Sequence, residues 1–204
     1  MTFKTEQEKF WAGEFGMQYL GRNQGEQLLT SNVGLFTDVL RATRGVGSIL
    51  ELGCNIGLNL QALHRIDTRL TLGAYEINEV AAAKARELGI ATVVCGTILD
   101  AIPANPQYDL TFTKGVLIHI NPDELDKVYD NLYRLSRRYI MVSEYYNPTP
   151  VTVNYRGNDD RLFKRDFAGE LIDRHDLKLV DYRFVYHRDS VYRQDDCTWF
   201  LLEK

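Results

Sequence analysis

The chain has little of what marks several specialised classes of protein. Among 204 residues there are three cysteines, Cys54, Cys95 and Cys197, widely spaced and without any Cys-x-x-Cys or Cys/His grouping. That pattern supports neither a disulfide framework nor a zinc site, so no metal is expected, and reduced thiols in a cytoplasmic setting are the simplest reading. Nowhere do about eighteen apolar residues run together, the length a membrane-crossing helix requires, and the opening Met-Thr-Phe-Lys-Thr-Glu-Gln-Glu-Lys lacks the apolar core of a signal peptide. A soluble protein with no membrane partner is expected. Excess positive charge is also missing: 24 Lys and Arg against 28 Asp and Glu leave a net charge of −4, which argues against a grip on a nucleic-acid backbone. With no internal repeat and no low-complexity linker, the whole of residues 1–204 reads as one domain.

What is present is a chain that is 45% hydrophobic, the ordinary globular proportion. Strands are expected at residues 48–52, 70–76, 91–95, 108–113, 138–144, 178–187 and 197–203, with helices between the first five. Alternation of that kind builds an α/β fold around a mostly parallel sheet. The connection from Asp189 to Asp196 is too short for a crossover helix, so the last two strands should pair antiparallel as a hairpin. The helix after the fourth strand has the clearest start: Asn121 can cap, Pro122 suits the first helical position and Glu124 can close a capping box. Leu125, Val128, Leu132 and Leu135 then give it a buried stripe.

Residues 48–60, Ser-Ile-Leu-Glu-Leu-Gly-Cys-Asn-Ile-Gly-Leu-Asn-Leu, run from a β-branched strand through two glycines into a helix, and an acidic Glu76 ends the next strand. Gly53 lets the chain turn out of the strand, Gly57 is expected to let backbone approach a ligand, and Glu76 can accept both hydroxyls of a ribose. The loop is not the Gly-x-Gly-x-x-Gly that seats a pyrophosphate on a helix N-terminus, which disfavours a nicotinamide-dependent oxidoreductase. It reads Glu51-x-Gly53-x-x-x-Gly57, and the acidic Glu51 at the strand's end favours a cationic ligand. S-adenosylmethionine carries both an ammonium and a sulfonium.

That pattern, followed by the ribose-binding acid, resembles the class I S-adenosylmethionine-dependent methyltransferases over roughly residues 46–204. The resemblance implies a Rossmann-like, seven-stranded sheet whose final strand inserts beside the fifth, with the site at the carboxyl ends of the first and fourth strands. It implies that Glu51, Gly53, Cys54, Asn55 and Gly57 cradle the cofactor, that Glu76 and Ile77 meet ribose and adenine, and that Gly96, Thr97 and Ile98 line the adenine edge. Relatives often have Asp where Thr97 stands, which leaves the contact to the exocyclic amine open. Lys114, Gly115 and Val116 would close the floor, although Val116 serves equally well as core. Upstream, the aromatic and glycine-rich residues 10–23 read either as a lid within an N-terminal extension over 1–45, with Trp11 shielding the sulfonium and Tyr19 or Arg22 binding a carboxylate, or as a simple anchor for a helix.

Residues 145–170 form an acceptor-side insertion in which Tyr145, Tyr146 and Tyr155 are interleaved with Arg156, Arg161, Lys164 and Arg165. Guanidinium forks fit carboxylate and phosphate, so a small-molecule anionic substrate is expected. Alternatively, Asp159, Asp160 and Asp166 pair with these bases locally, and Asp166 caps the next helix. If the acceptor must lose a proton, His119 is the first candidate base, Glu144 the second and His187 a distant third; a half-buried His119 bonded to backbone is the plainer alternative. Across nearly the whole chain, the phrases Phe-Trp-Ala-Gly-Glu-Phe-Gly, Glu-Leu-Gly-Cys-Asn-Ile-Gly-Leu-Asn, Lys-Gly-Val-Leu-Ile-His-Ile-Asn-Pro, Glu-Tyr-Tyr-Asn-Pro and Phe-Lys-Arg-Asp-Phe-Ala-Gly-Glu resemble the pseudaminic acid biosynthesis-associated methylase family. This implies an acceptor near acidic-sugar or surface-glycan pathways. Another small carboxylate, amino acid or phosphonate acceptor, and a non-catalytic nucleoside-binding partner, are the competing readings.

Overall fold

A computed structural model of the protein describes residues 3–20 and 25–204. Seven strands form the main sheet: β1 (Ser48–Leu52), β2 (Thr71–Glu76), β3 (Thr92–Cys95), β4 (Tyr108–Lys114), β5 (Ser136–Glu144), β8 (Lys178–Val185) and β9 (Cys197–Glu203). Two more, β6 (Val151–Tyr155) and β7 (Asn158–Lys164), make a separate antiparallel hairpin. The order across the main sheet is β3-β2-β1-β4-β5-β9-β8. The first five strands run parallel, and β9 enters antiparallel between β5 and β8. The expected terminal hairpin and the insertion of the last strand beside the fifth are therefore both present.

Side chains of successive strand residues point to opposite faces, and the core splits accordingly. Ile49, Phe112, Met141 and Leu201 face one side with Phe36, Val39, Leu60, Leu63, Ala82 and Ala85. Those residues come from α3 (Glu26–Arg41), α4 (Leu58–Ile66) and α5 (Glu79–Glu87). Leu50, Leu52, Ile140, Val142 and Leu202 face the other side, packed by α6 (Leu125–Leu135) and α7 (Phe167–His175). On α6 the expected stripe of Leu125, Val128, Leu132 and Leu135 is buried, each side chain worth about 2 kcal/mol of burial. Truncating fully buried Leu132 to Ala would cost about 2–5 kcal/mol.

Two local expectations are corrected, and a hairpin is added where none was expected. No helix separates β3 from β4: residues 96–107 are irregular, since Pro103 and Pro106 supply no N–H for a helical ladder. Instead buried Asn131 of α6 holds the segment, donating to the carbonyls of Ile98 and Asp100 at 2.8 and 2.7 Å and accepting from the Ile102 N–H at 3.2 Å. The capping box at α6 does not close: Asn121 caps a short 3-10 turn by accepting from the Asp123 N–H at 3.0 Å, and Glu124 pairs with Lys127. Finally, the insertion contains the β6–β7 hairpin, which turns on Arg156 (φ +52) and Gly157 (φ +83), the two-residue geometry that suits a right-twisted ribbon.

At the start of the chain, α1 (Glu6–Ala12) and α2 (Glu14–Leu20) form a short helical pair. Thr5 caps α1 by accepting from the Glu8 N–H. Asn78 caps α5 with its carbonyl while its amide donates to the carbonyls of Trp11 and Ala12 at 3.2 and 3.3 Å. One side chain thus starts one helix and satisfies the open end of another.

Candidate functional site

A cavity of about 860 Å³ lies at the carboxyl ends of β1, β2 and β4, where the strand order changes direction between β1 and β4. Open α/β sheets gather ligands at that switch point, and the volume is toward the upper end of the range of about 300–1,000 Å³ for small-molecule sites.

The turn out of β1 forms part of its wall. Gly53 has φ +89, and a Cβ there would sit 2.6 Å from Val116 Cγ2, so both backbone and neighbour require glycine. Gly57 has a different task from the one expected. It caps α4 at φ +82 and leaves room for Leu88, whose Cδ1 would lie 2.7 Å from an added Cβ; it is not among the wall residues. Between them Cys54 and Asn55 do face the cavity. Asn55 adopts φ +49, and its N–H donates to Glu76 Oε2 at 2.7 Å. Glu76 Oε1 accepts from the Asn78 N–H at 2.8 Å. Each carboxylate oxygen keeps a further lone pair for a ligand hydroxyl. Burial raises the Glu76 pKa, with the backbone donors opposing.

Glu51 stands behind this wall and not on it. It is fully buried, Asn59 Nδ2 donates to its Oε1 at 2.6 Å, and Oε2 has no partner among the described residues. Burial pushes its carboxyl up to about 8, with the Asn59 hydrogen bond and the nearby Lys114 charge opposing. Near neutral pH Glu51 is therefore a protonated acid rather than the expected standing negative charge.

Ile77, Gly96, Thr97, Ile98, Lys114, Gly115 and Val116 all lie on the wall, as the motif reading proposed. Trp11 and Tyr19 join them, their rings 5.1 Å apart and edge-to-face. The Trp11 indole N–H is buried without a partner among the described residues. Arg22 lies outside the described residues. Of the three candidate bases, His187 is paired with Asp196 at 2.8 Å, while His119 is 8% exposed, and its Nδ1 lies 2.6 Å from the Arg161 carbonyl on β7. A carbonyl only accepts, so Nδ1 carries the proton and Nε2 keeps the lone pair. Burial lowers the His119 pKa to about 4, the carbonyl contact opposing, which leaves the ring neutral. The plainer reading, a histidine bonded to backbone, thus holds on a wall position. Glu144 also reaches the wall, but its Oε1 accepts from the N–H groups of Val116 and Leu117 at 3.1 Å each, and Oε2 from Ile118 at 3.4 Å. Burial raises it to about 7 against those donors. Its geometry fits it to position the turn that carries His119.

On the acceptor side the expected set divides. Tyr145, Tyr155 and Arg156 line the cavity, and the Arg156 guanidinium lies 5.6 Å from the Tyr155 ring centre. Tyr146, Lys164 and Arg165 do not line it. Arg165 Nε donates to Glu170 at 2.5 Å, Lys164 sits over the Tyr145 ring at 5.3 Å, and Tyr146 lies with Arg165 in a separate small pocket beside Phe167 and Thr198. Local pairing is the better description there: Asp160 pairs with Arg161 at 2.5 Å, and Asp166 caps α7 by accepting from the Gly169 N–H at 2.8 Å.

Motif reasoning missed the β8–β9 connection, which supplies Arg193, Gln194 and Asp195 to the wall, and Asn32 of α3. Ser31 Oγ donates to the Arg193 carbonyl at 3.0 Å, Gln27 Nε2 donates to the Val191 carbonyl at 2.9 Å, and Gly34 makes room for the Tyr192 ring. Tyr145 Oη donates to Asp195 Oδ2 at 2.9 Å. The run Arg188–Asp196 was too polar to signal a buried contact. Buried oxygens of Asn32, Asn55 and Gln194 lack partners among the described residues, a demand that polar ligand groups can meet. Among the described residues, no group of three or more His, Cys, Asp or Glu could hold a metal, and no helix is long and apolar enough to cross a membrane.

This arrangement is the fold of the S-adenosylmethionine-dependent methyltransferases. The chain is similar to such a methyltransferase from Leishmania major, with 16% identity and a TM-score of 0.75 over 98% of this chain and 82% of the other. It is similar also to magnesium protoporphyrin IX methyltransferase from Synechocystis with bound S-adenosylhomocysteine, at 13% identity and a TM-score of 0.70 over 97% of both chains. A methyltransferase from Clostridium acetobutylicum matches at 13% identity and a TM-score of 0.65 over 93% of this chain and 97% of the other. No protein-family model and no curated protein matches the chain.

Proposed function

We propose that the protein is an S-adenosylmethionine-dependent methyltransferase that acts on a small anionic acceptor. The observation that carries this reading is the cavity at the β1/β4 switch point with Glu76 and Asn55 on its wall, in a fold shared with solved methyltransferases. The residues fit the donor: the Glu51 carboxyl, buried just behind the wall with Oε2 without a partner among the described residues, can give up its proton to balance an ammonium in the cavity. Glu76 has lone pairs for ribose hydroxyls, and Ile77, Gly96, Ile98 and Val116 offer apolar surface to adenine. When bound, S-adenosylmethionine supplies a methyl group on a positively charged sulfur and leaves as S-adenosylhomocysteine.

The chain's own contribution is placement and exclusion of water. Trp11, Tyr19 and Tyr155 wall the cavity on the side of His119, whose ring centre lies 4.4 Å from Trp11 and 5.2 Å from Tyr155. With Nδ1 fixed by the Arg161 carbonyl, Nε2 is the atom that takes a proton from an acceptor hydroxyl or ammonium. Lys114, Arg156 and Arg193 stand on the same wall, and among the described residues none of them is in a salt bridge. They are the groups that recognise the acceptor's negative charge, and an acidic sugar is the finer reading, in line with the family resemblance in the sequence.

Calorimetry with S-adenosylhomocysteine, followed by a screen with methyl-labelled donor against acidic and nucleotide-linked sugars, amino acids, phosphonates, peptides and RNA, tests this. Binding that Glu76→Ala weakens at least tenfold, with label in a small acid, is expected. Absence of binding, or label only in peptide or RNA, overturns the reading.

A further inference from the structure

One buried acid on the cavity wall has no task in the function proposed above. Glu8, in α1, is 6% exposed and lines the cavity. No Lys or Arg side chain forms a salt bridge with it among the described residues. Its Oε2 accepts from the Lys4 backbone N–H at 2.6 Å, and its Oε1 accepts from the Thr97 hydroxyl. The Lys4 ammonium goes elsewhere, to Asp100 and the Leu99 carbonyl. Thr97 in turn accepts from the Leu99 N–H at 3.0 Å, which fixes the hydroxyl so that its proton points at Glu8. The Glu8 carboxyl is therefore set against the loop that follows β3, with two neutral donors as its hydrogen-bond partners among the described residues and lone pairs to spare.

We propose that Glu8 is the specificity residue for the nucleobase, accepting a hydrogen bond from the exocyclic amine of adenine in S-adenosylmethionine. The inference rests on the proposed donor. With ribose at Glu76, a base laid along Ile77 toward Gly96 and Ile98 brings its far edge to Thr97 and so to Glu8. An acid accepts from an amine, whereas a hypoxanthine carbonyl at the same place would put two acceptors together, and a site built to pair with an N–H rejects an analogue that lacks it. The arrangement also couples the base to the N-terminal helix: the residue that reads the amine sits one turn from Trp11, which covers the cavity near His119.

The test compares S-adenosylhomocysteine with its deaminated analogue, S-inosylhomocysteine, by calorimetry. The unsubstituted protein should prefer the amine by roughly tenfold to a hundredfold. In Glu8→Gln, whose amide can accept from the amine or donate to the carbonyl, the preference should shrink to about threefold or less. Thr97→Val, which leaves Glu8 in place but frees it to turn, should lie between the two, and it decides the matter should Glu8→Gln not fold. Equal affinity for both compounds in the unsubstituted protein, or an undiminished preference in folded Glu8→Gln, overturns the assignment while leaving the proposed function intact. Failure of the unsubstituted protein to bind S-adenosylhomocysteine overturns both.

Discussion

Replacing Glu51 by Gln should make the protein more stable and a poorer binder. Glutamine keeps the size of the side chain and the oxygen that accepts from Asn59 Nδ2 at 2.6 Å. What it removes is an acid that burial pushes from its ordinary 4.5 up to about 8. The folded protein holds this proton while the unfolded chain releases it above pH 4.5. The stability it contributes is thus complete below pH 4.5 and is lost as pH rises toward 8, with no further loss beyond. At about 1.4 kcal/mol per pH decade, the loss is about 3 kcal/mol at pH 7 and about 5 kcal/mol well above pH 8. Urea unfolding of both proteins between pH 5 and pH 9 should show the variant gaining about 4 kcal/mol on the original across that range. Parallel profiles, differing by a constant within about 1 kcal/mol, would refute the claim that the Glu51 carboxyl is buried and protonated. The same substitution should weaken S-adenosylhomocysteine binding, since a carboxyl that ionises opposite the ligand's ammonium is no longer there. Binding at pH 7 should release a proton from the original protein and none from the variant.

Other substitutions probe the rest of the site. Glu144→Ala leaves the N–H groups of Val116, Leu117 and Ile118 without their acceptor and should lower unfolding free energy by about 3 kcal/mol or more; a loss under about 1 kcal/mol in denaturant melts would mean that water replaces the carboxylate. His119→Ala should cut turnover of the labelled acceptor by about 100-fold or more while S-adenosylhomocysteine affinity changes little, and unaltered turnover removes it as the base. Gly16→Ala places a Cβ 1.8 Å from the Trp11 carbonyl, so the helical pair must part; tryptophan fluorescence should shift and cofactor affinity fall, whereas an unchanged spectrum and affinity would show that the pair does not cover the cavity.

Much of the frame was legible because it rests on local chemistry. The β-branched runs, the Gly53 turn and the stripe on α6 each follow from a periodicity or a backbone constraint that a few consecutive residues impose. The β6–β7 hairpin could have been read as well: Val151-Thr-Val-Asn-Tyr155 ended by Arg156-Gly157 is a strand and a turn, but its polar surroundings hid it. The helix expected before β4 failed for a converse reason, because two prolines and the reach of Asn131 overrode the usual alternation.

By itself the sequence determined the seven strands of the main sheet, the turn beneath the cavity and the acid that ends β2, since each is fixed by neighbours along the chain. Tertiary structure alone decided which side chains share the cavity. It put Glu51 behind the wall, turned Lys164 and Arg165 away, and brought Glu8, Asn32 and Arg193 in. The physical reason is distance along the chain: Glu8 meets Thr97 across 89 residues, and His119 meets the Arg161 carbonyl across 42. No local pattern encodes such contacts, because packing of the helices and the β7 strand against the sheet creates them.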